Sequence, residues 1–178
     1  MPLKIRKARM GDVEAMHELI NRHAKRGRML ARSRMELYEN LRDFFVAAEK
    51  RRIFGTAALH ISWEGLAEVK SVSVCETAQT RGVGRRLVRA CLREAPKLGA
   101  HRVFALTYVP DFFEKLGFER IDRSELPHRI WAECVRCPEF PDCGEVPMAV
   151  TLPKRKNGNS RTRPVAARGK KKGRAKRG

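Results

Sequence analysis

Leu66-Ala67-Glu68-Val69-Lys70-Ser71-Val72-Ser73-Val74 leads, four residues later, into Gln79-Thr80-Arg81-Gly82-Val83-Gly84. The first run is apolar and β-branched enough to be a strand. After Gly82, the residues Val83, Leu87, Cys91 and Ala95 recur at helical spacing, and Gly99 can end that helix. A glycine-bearing turn between a strand and a helix is a place where backbone N–H groups can close around a diphosphate. Side chains would obstruct that approach, and Gly82 and Gly84 remove the obstruction. Amides from about Arg81 to Arg86 supply donors, and the helix N-terminus adds partial positive charge. Arg81, Arg85 and Arg86 bring full charges for phosphate oxygens. By spacing alone, an ordinary glycine turn before a helix fits as well.

Upstream, Leu3-Lys4-Ile5-Arg6 alternates and reads as a first strand. Asp12 is placed to cap a helix carrying Val13, Met16, Ile20 and Ala24, which Gly27 can stop. Ser33-Arg34-Met35-Glu36 has the capping-box pattern and opens a second helix, with Met35, Tyr38 and Leu41 on one face. Strands are expected at Phe44 to Glu49, Arg52 to Ser62 and Leu66 to Val74. Their short connections favour an antiparallel meander. Downstream come a strand at Val103 to Leu106 and a short helix at Pro110 to Leu116 with Gly117 after it. Strands at Phe118 to Ile121 and Val146 to Leu152 close the pattern. The expected architecture is a mixed α/β sheet covered by helices.

The chain has 178 residues and a net charge of +19. The stretch from Pro153 to Gly178 holds 12 of its 39 Lys and Arg and no Asp or Glu. A segment of that composition is expected to be a disordered basic tail, leaving one domain at residues 1–152. The tail could bind polyanions weakly or serve as a solvated extension, and it lacks aromatics for base stacking. No run of 18 apolar residues occurs, so neither a membrane span nor a membrane partner is expected. Met1-Pro2-Leu3-Lys4 lacks the apolar stretch of a secretion signal, and with five cysteines the expected compartment is the cytoplasm.

The spacing Q-x-x-G-x-G at Gln79–Gly84, followed one strand later by Phe112-Phe113-Glu114-Lys115-Leu116-Gly117-Phe118, resembles the GNAT-type N-acetyltransferases. Several segments are similar to the short, single-domain N-acetylglutamate synthases of bacterial arginine biosynthesis. These are Arg28-Met29-Leu30, Glu36-Leu37-Tyr38-Glu39-Asn40, Glu68 to Val74, Leu106-Thr107-Tyr108-Val109-Pro110 and Ser124 to Trp131, with Cys134-x2-Cys137-Pro138 and Cys143 beyond. The resemblance implies the acyl-CoA N-acyltransferase fold, with a mostly antiparallel sheet splayed at the acetyl-CoA site. It implies acetyl-CoA as co-substrate and a small amino acid, glutamate or an analogue such as glutamine, as acceptor. It also implies that amides near Val72, Ser73 and Val74 bind the pantetheine arm and polarise the thioester carbonyl. A β-bulge would produce the splay. The cofactor-binding set expected from it is Val72, Ser73, Val74, Gln79, Arg81, Gly82, Val83, Gly84, Arg85, Arg86 and Phe113.

Direct attack requires a neutral amine, hence a proton acceptor. Glu68 is the first candidate and Glu64 the second; an ion-paired strand carboxylate is the plainer role for Glu68. Many members of the family carry Tyr as the acid for the leaving thiolate where this chain has Phe113, and Phe donates no proton. Tyr108, or a water, could replace it. Arg28, Arg32, Lys70 and Arg129 are candidates for the acceptor's carboxylates, Arg suiting a bidentate contact and Lys70 favoured by its strand position. Cys134, Cys137 and Cys143 with His128 could hold a structural zinc; free thiols or a reversible disulfide remain open. A homodimer is compatible with the sequence. A protein N-terminal or lysine acetyltransferase, and a non-catalytic acetyl-CoA-responsive nucleic-acid-binding protein, are the alternative functions.

Overall fold

The computed structural model describes residues 2–128, 130, 135 and 143–153. Seven strands form one sheet: β1 (Lys4–Lys7), β2 (Phe44–Glu49), β3 (Arg52–Trp63), β4 (Leu66–Val74), β5 (Arg102–Thr107), β6 (Glu119–Arg120) and β7 (Val146–Thr151). Their spatial order is β1-β2-β3-β4-β5-β7-β6. Every pairing is antiparallel except β4 with β5. Four α-helices whose bounds fall among the described residues accompany them: α1 (Val13–Ala24), α2 (Arg34–Glu39), α3 (Val83–Glu94) and α4 (Pro110–Glu114). The expected mixed α/β sheet and antiparallel meander are both present. The expected division at residue 152 falls at the edge of the described residues, and the segment from 154 onward lies outside them.

Strand alternation sends side chains to two faces. Ala57, Leu59, Val69, Val103 and Ala105 pack on one face under Val83, Leu87, Val88 and Cys91 of α3. Burial pushes the Cys91 thiol up to about 12, so it is an inert packing group. Phe44, Val46 and Ala58 face the other way, against Val13, Met16 and Ile20 of α1 and Leu37 of α2. Gly55 is what lets α3 lie close to the sheet. A Cβ there would stand 2.9 Å from Leu87 Cδ1, 3.0 Å from the Ser73 carbonyl oxygen and 3.2 Å from Val83 Cγ1.

Three local expectations are corrected. Asp12 does sit at the head of α1, but its side chain makes no capping bond to it. Its carboxylate instead accepts from both terminal nitrogens of Arg6, at 2.6 and 2.9 Å, and from the Arg9 amide at 2.8 Å. The Arg6 hydrogen bonds hold the Asp12 carboxyl below its usual range, against burial, which raises it. On α2 the buried residue is Leu37, while Met35 and Tyr38 are exposed. Six residues are too few for spacing to define a face. The strand expected at Phe118 to Ile121 is reduced to Glu119 and Arg120, with the Ile121 amide donating beyond it to the Pro147 carbonyl at 3.1 Å.

Candidate active site

Two contacts decide where the sheet opens. The Gly65 carbonyl accepts both the His101 and Arg102 amides, at 3.0 Å each, which fixes the start of β5 beside the start of β4. The strands then pair only at Leu66–Arg102, Ala67–Val103 and Glu68–Phe104 before parting, β5 continuing along β7. On the other edge of β4, Thr56 faces Ser73 and Ala58 faces Lys70, so Ser71 and Val72 together oppose Ala57. This is the β-bulge expected from the resemblance. It centres on Ser71, whose φ of +52° lies in the left-handed region although it is not glycine.

Backbone groups alternate along the strand. Ser73 pairs with Thr56 and the Cys75 amide donates to the Phe54 carbonyl, so both face β3. Val72 and Val74 therefore turn towards the gap left by β5. The Val74 carbonyl on that side accepts from His23 Nε2 at 3.0 Å and Gln79 Nε2 at 3.3 Å. Since a carbonyl only accepts, His23 Nε2 carries the proton. Ser73 is corrected as a cofactor contact: its backbone belongs to the β3 ladder, and its hydroxyl is buried against Thr56 at 3.2 Å.

Beyond β4, a 3-10 turn (Glu76–Arg81) reaches Gly82, whose φ of +66° is why glycine serves there. The first intrahelical bond of α3 runs from the Arg86 amide to the Gly82 carbonyl at 3.1 Å. The amides of Val83, Gly84 and Arg85 precede it and point out of the helix N-terminus. Gly84 has Phe112 against it, with Cζ 3.3 Å from where a Cβ would stand. Val83 contributes only backbone, its side chain being buried in the core. Arg81 and Arg85 are exposed at the loop. Arg86 is corrected: its amide is spent inside the helix, and its guanidinium donates to the Leu3 carbonyl at 2.9 Å.

A cavity of about 630 Å³ adjoins the open edge of β4. Its wall brings together Glu68, Lys70, Val72, Tyr108, Phe113, Arg28 and Arg32 from the sequence-based candidates. Lys70 Nζ stands 3.5 Å from Glu68 Oε2, both side chains mostly buried. Tyr108 follows β5 and packs beside Gly144. Phe113 is buried in edge-to-face contact with Phe112 and Phe118, at centroid distances of 5.2 and 5.1 Å. Asn21 holds the rim in place: it accepts from the Arg32 amide at 3.1 Å and donates to the Arg32 carbonyl at 2.8 Å. Arg32 in turn reaches Glu36 at 3.3 Å. Burial raises the Glu36 carboxyl, but the Ser33 amide and hydroxyl and Arg32 bring it below its usual range.

Glu64 is exposed in the turn at the far end of β4 and does not line the cavity, which removes it as a proton acceptor. Arg129, Cys134 and Cys137 lie outside the described residues. His128 is exposed, Cys143 lines the cavity, and the described residues contain no group of three potential metal ligands. Three charged wall residues escaped the sequence reading as site residues: Glu36, Arg123 and Glu145. Glu36 was visible as a helix cap and within a resemblance segment but not as a site residue, and Arg123 and Glu145 carry no motif of their own. Arg123 donates to the Cys143 and Glu145 carbonyls at 3.2 Å each. Burial raises the Glu145 carboxyl; the Cys143 thiol opposes this and the Glu68 charge adds to it.

Among the described residues no helix is long and apolar enough to cross a membrane. Residues 13–118 match the acetyltransferase (GNAT) family. The chain is 35% identical over 148 residues to an uncharacterized N-acetyltransferase of Chlorobaculum tepidum, covering 83% of this chain and 96% of that one. It is 31% identical to an amino-acid acetyltransferase of Mycobacterium tuberculosis, over 74% of this chain and 77% of the relative. The crystal structure of N-acetylglutamate synthase from Neisseria gonorrhoeae, complexed with coenzyme A and N-acetyl-glutamate, superimposes with a TM-score of 0.77 at 25% identity. That match covers 85% of this chain and 35% of the synthase.

Proposed function

Given that the chain belongs to the GNAT acetyltransferase family and uses acetyl-CoA as acyl donor, we propose that its acceptor is the α-amino group of L-glutamate or a close analogue such as glutamine. In the bacterial synthases that the sequence resembles, this reaction opens arginine biosynthesis. The observation that carries the reading is the Glu68–Lys70 pair on the cavity wall, with Lys70 immediately before the bulge. A carboxylate and an ammonium 3.5 Å apart complement the head of a zwitterionic amino acid. Arg28 and Arg32, which line the same cavity, are suited to a side-chain carboxylate or amide.

The chemistry then proceeds in one ternary complex. The pyrophosphate rests on the amides of Val83, Gly84 and Arg85, with Arg81 and Arg85 nearby. The Val72 amide, turned into the gap, donates to the thioester carbonyl and stabilises the oxyanion as it forms. The acceptor's ammonium gives one proton to the Glu68 carboxylate and becomes nucleophilic. Its nitrogen attacks the acetyl carbon, the C–N bond forms, and the C–S bond then breaks. The second nitrogen proton passes to the departing thiolate through Tyr108 or water. Products are the N-acetyl amino acid and CoA thiol.

The test is CoA release from acetyl-CoA with glutamate, glutamine, other amino acids and basic peptides. Glutamate or glutamine should be preferred at least tenfold in kcat/KM. Turnover with peptides alone would replace this reading with a protein acetyltransferase.

A further inference from the structure

The bulge that opens the site puts Ser71, a residue with a side chain, into left-handed backbone, so something must hold it there. Thr56, fully buried on β3 and paired with Ser73, reaches it with its side chain. Its Oγ1 is 2.9 Å from the Ser71 carbonyl oxygen and 3.2 Å from Ser73 Oγ. The carbonyl can only accept, so the single Thr56 proton goes to Ser71. Ser73, itself 3% exposed, must then donate to Thr56. The result is a one-way chain: Ser73 hydroxyl to Thr56 hydroxyl to Ser71 carbonyl. Both ends lie on β4, one on each side of Val72, and the middle lies on β3.

We propose that Thr56 is a positioning residue for acetyl transfer: its hydroxyl locks the β4 bulge and so aims the Val72 amide at the thioester carbonyl. The geometry supports this in three ways. The peptide joining Ser71 to Val72 carries both the carbonyl that Thr56 grips and the amide that faces the gap. These two groups point in opposite directions, so a bond on one fixes the other. Without the hydroxyl, Ser71 could relax towards ordinary extended backbone, and β4 would pair with β3 in regular register. An amide that must meet a developing oxyanion tolerates little displacement, whereas the pyrophosphate loop lies beyond Val74 and is anchored separately by His23 and Gln79. The inference rests on acetyl-CoA as donor and is independent of which acceptor is used.

Thr56→Val keeps the shape and removes the donor; Thr56→Ser keeps the donor and removes a methyl group. With whichever acceptor the parent enzyme turns over, Thr56→Val should lower kcat by about 10- to 100-fold. The KM for that acceptor should stay within about twofold. Thr56→Ser should recover kcat to within about threefold of the parent. Ser73→Ala, which leaves the Thr56–Ser71 bond in place, should fall between them. A second readout needs no acceptor: the Val72 amide proton resonance should move on adding acetyl-CoA to the parent protein and to Thr56→Ser, and much less in Thr56→Val. A folded Thr56→Val with parental kcat and a parental Val72 shift would overturn the proposal. Equal impairment in Thr56→Val and Thr56→Ser would overturn it too, because the methyl group rather than the hydroxyl would then matter. Absence of turnover with glutamate would count against the acceptor reading alone, and the Val72 resonance would still decide this one.

Discussion

The proposed donor half of the site and the proposed acceptor half are built from different materials. The donor half, from Ser71 through Val74 to the start of α3, is made of backbone: a bulge, amides turned into a gap, and a helix N-terminus behind Gly82. The acceptor half is made of side chains gathered from distant segments: Arg28 and Arg32 before α2, Glu68 and Lys70 on β4, Tyr108 after β5, Arg123 after β6 and Glu145 before β7. Backbone geometry serves a ligand common to a whole family, because a diphosphate and a thioester look the same in every member. Side chains can be exchanged without disturbing the sheet, so acceptor choice belongs to them.

Substitutions should separate along that line. Lys70→Met should raise the KM for glutamate by about 10- to 100-fold, the loss of one charge-assisted contact. Its KM for acetyl-CoA should not change, and a comparable rise there would break the comparison. Gly55→Ala should do the reverse. Its Cβ meets the Ser73 carbonyl and the α3 side chains, so we expect a stability loss of about 1–3 kcal/mol in thermal unfolding. Weakened acetyl-CoA binding should accompany it. Asp12→Asn touches neither half and should cost about 1–2 kcal/mol with parental kinetics. Because the folded Asp12 carboxyl is held low, its contribution is present above its unfolded pKa and lost as pH falls through the folded one. The stability difference between parent and Asp12→Asn should therefore be flat near neutrality and shrink below about pH 4. The smallest effect is expected from Arg86→Ala, whose acetyl-CoA KM should stay within about twofold because that guanidinium serves Leu3.

Much of the donor half was legible in the sequence because its signals are local. Gln79–Gly84 sits between a strand and a helix within a few residues, and Gly82 supplies the left-handed turn that joins them. Gly84 could be read as room for a ligand, although in the fold it also makes room for Phe112. Arg86 misled for the opposite reason. It lies within the motif, yet its side chain leaves for a carbonyl 83 positions away. Ser71 gave no sign of positive φ, since no glycine marks it. Thr56 looked like any β-branched strand residue. Glu145 and Arg123 belong to the site only because β7 returns beside β5 and brings the segment before it to the cavity.

By itself, then, the sequence determined the order of strands and helices, the glycine turn proposed to hold the diphosphate, and the acetyl-CoA family. Each is written in neighbouring residues through periodicity, caps and turn chemistry. Only the tertiary structure decided which carboxylates and cations share the cavity, which arginine is turned away from it, and what holds the bulge open. Those depend on contacts between residues far apart in the chain, where the register of β3 against β4 and the early parting of β4 from β5 set the distances.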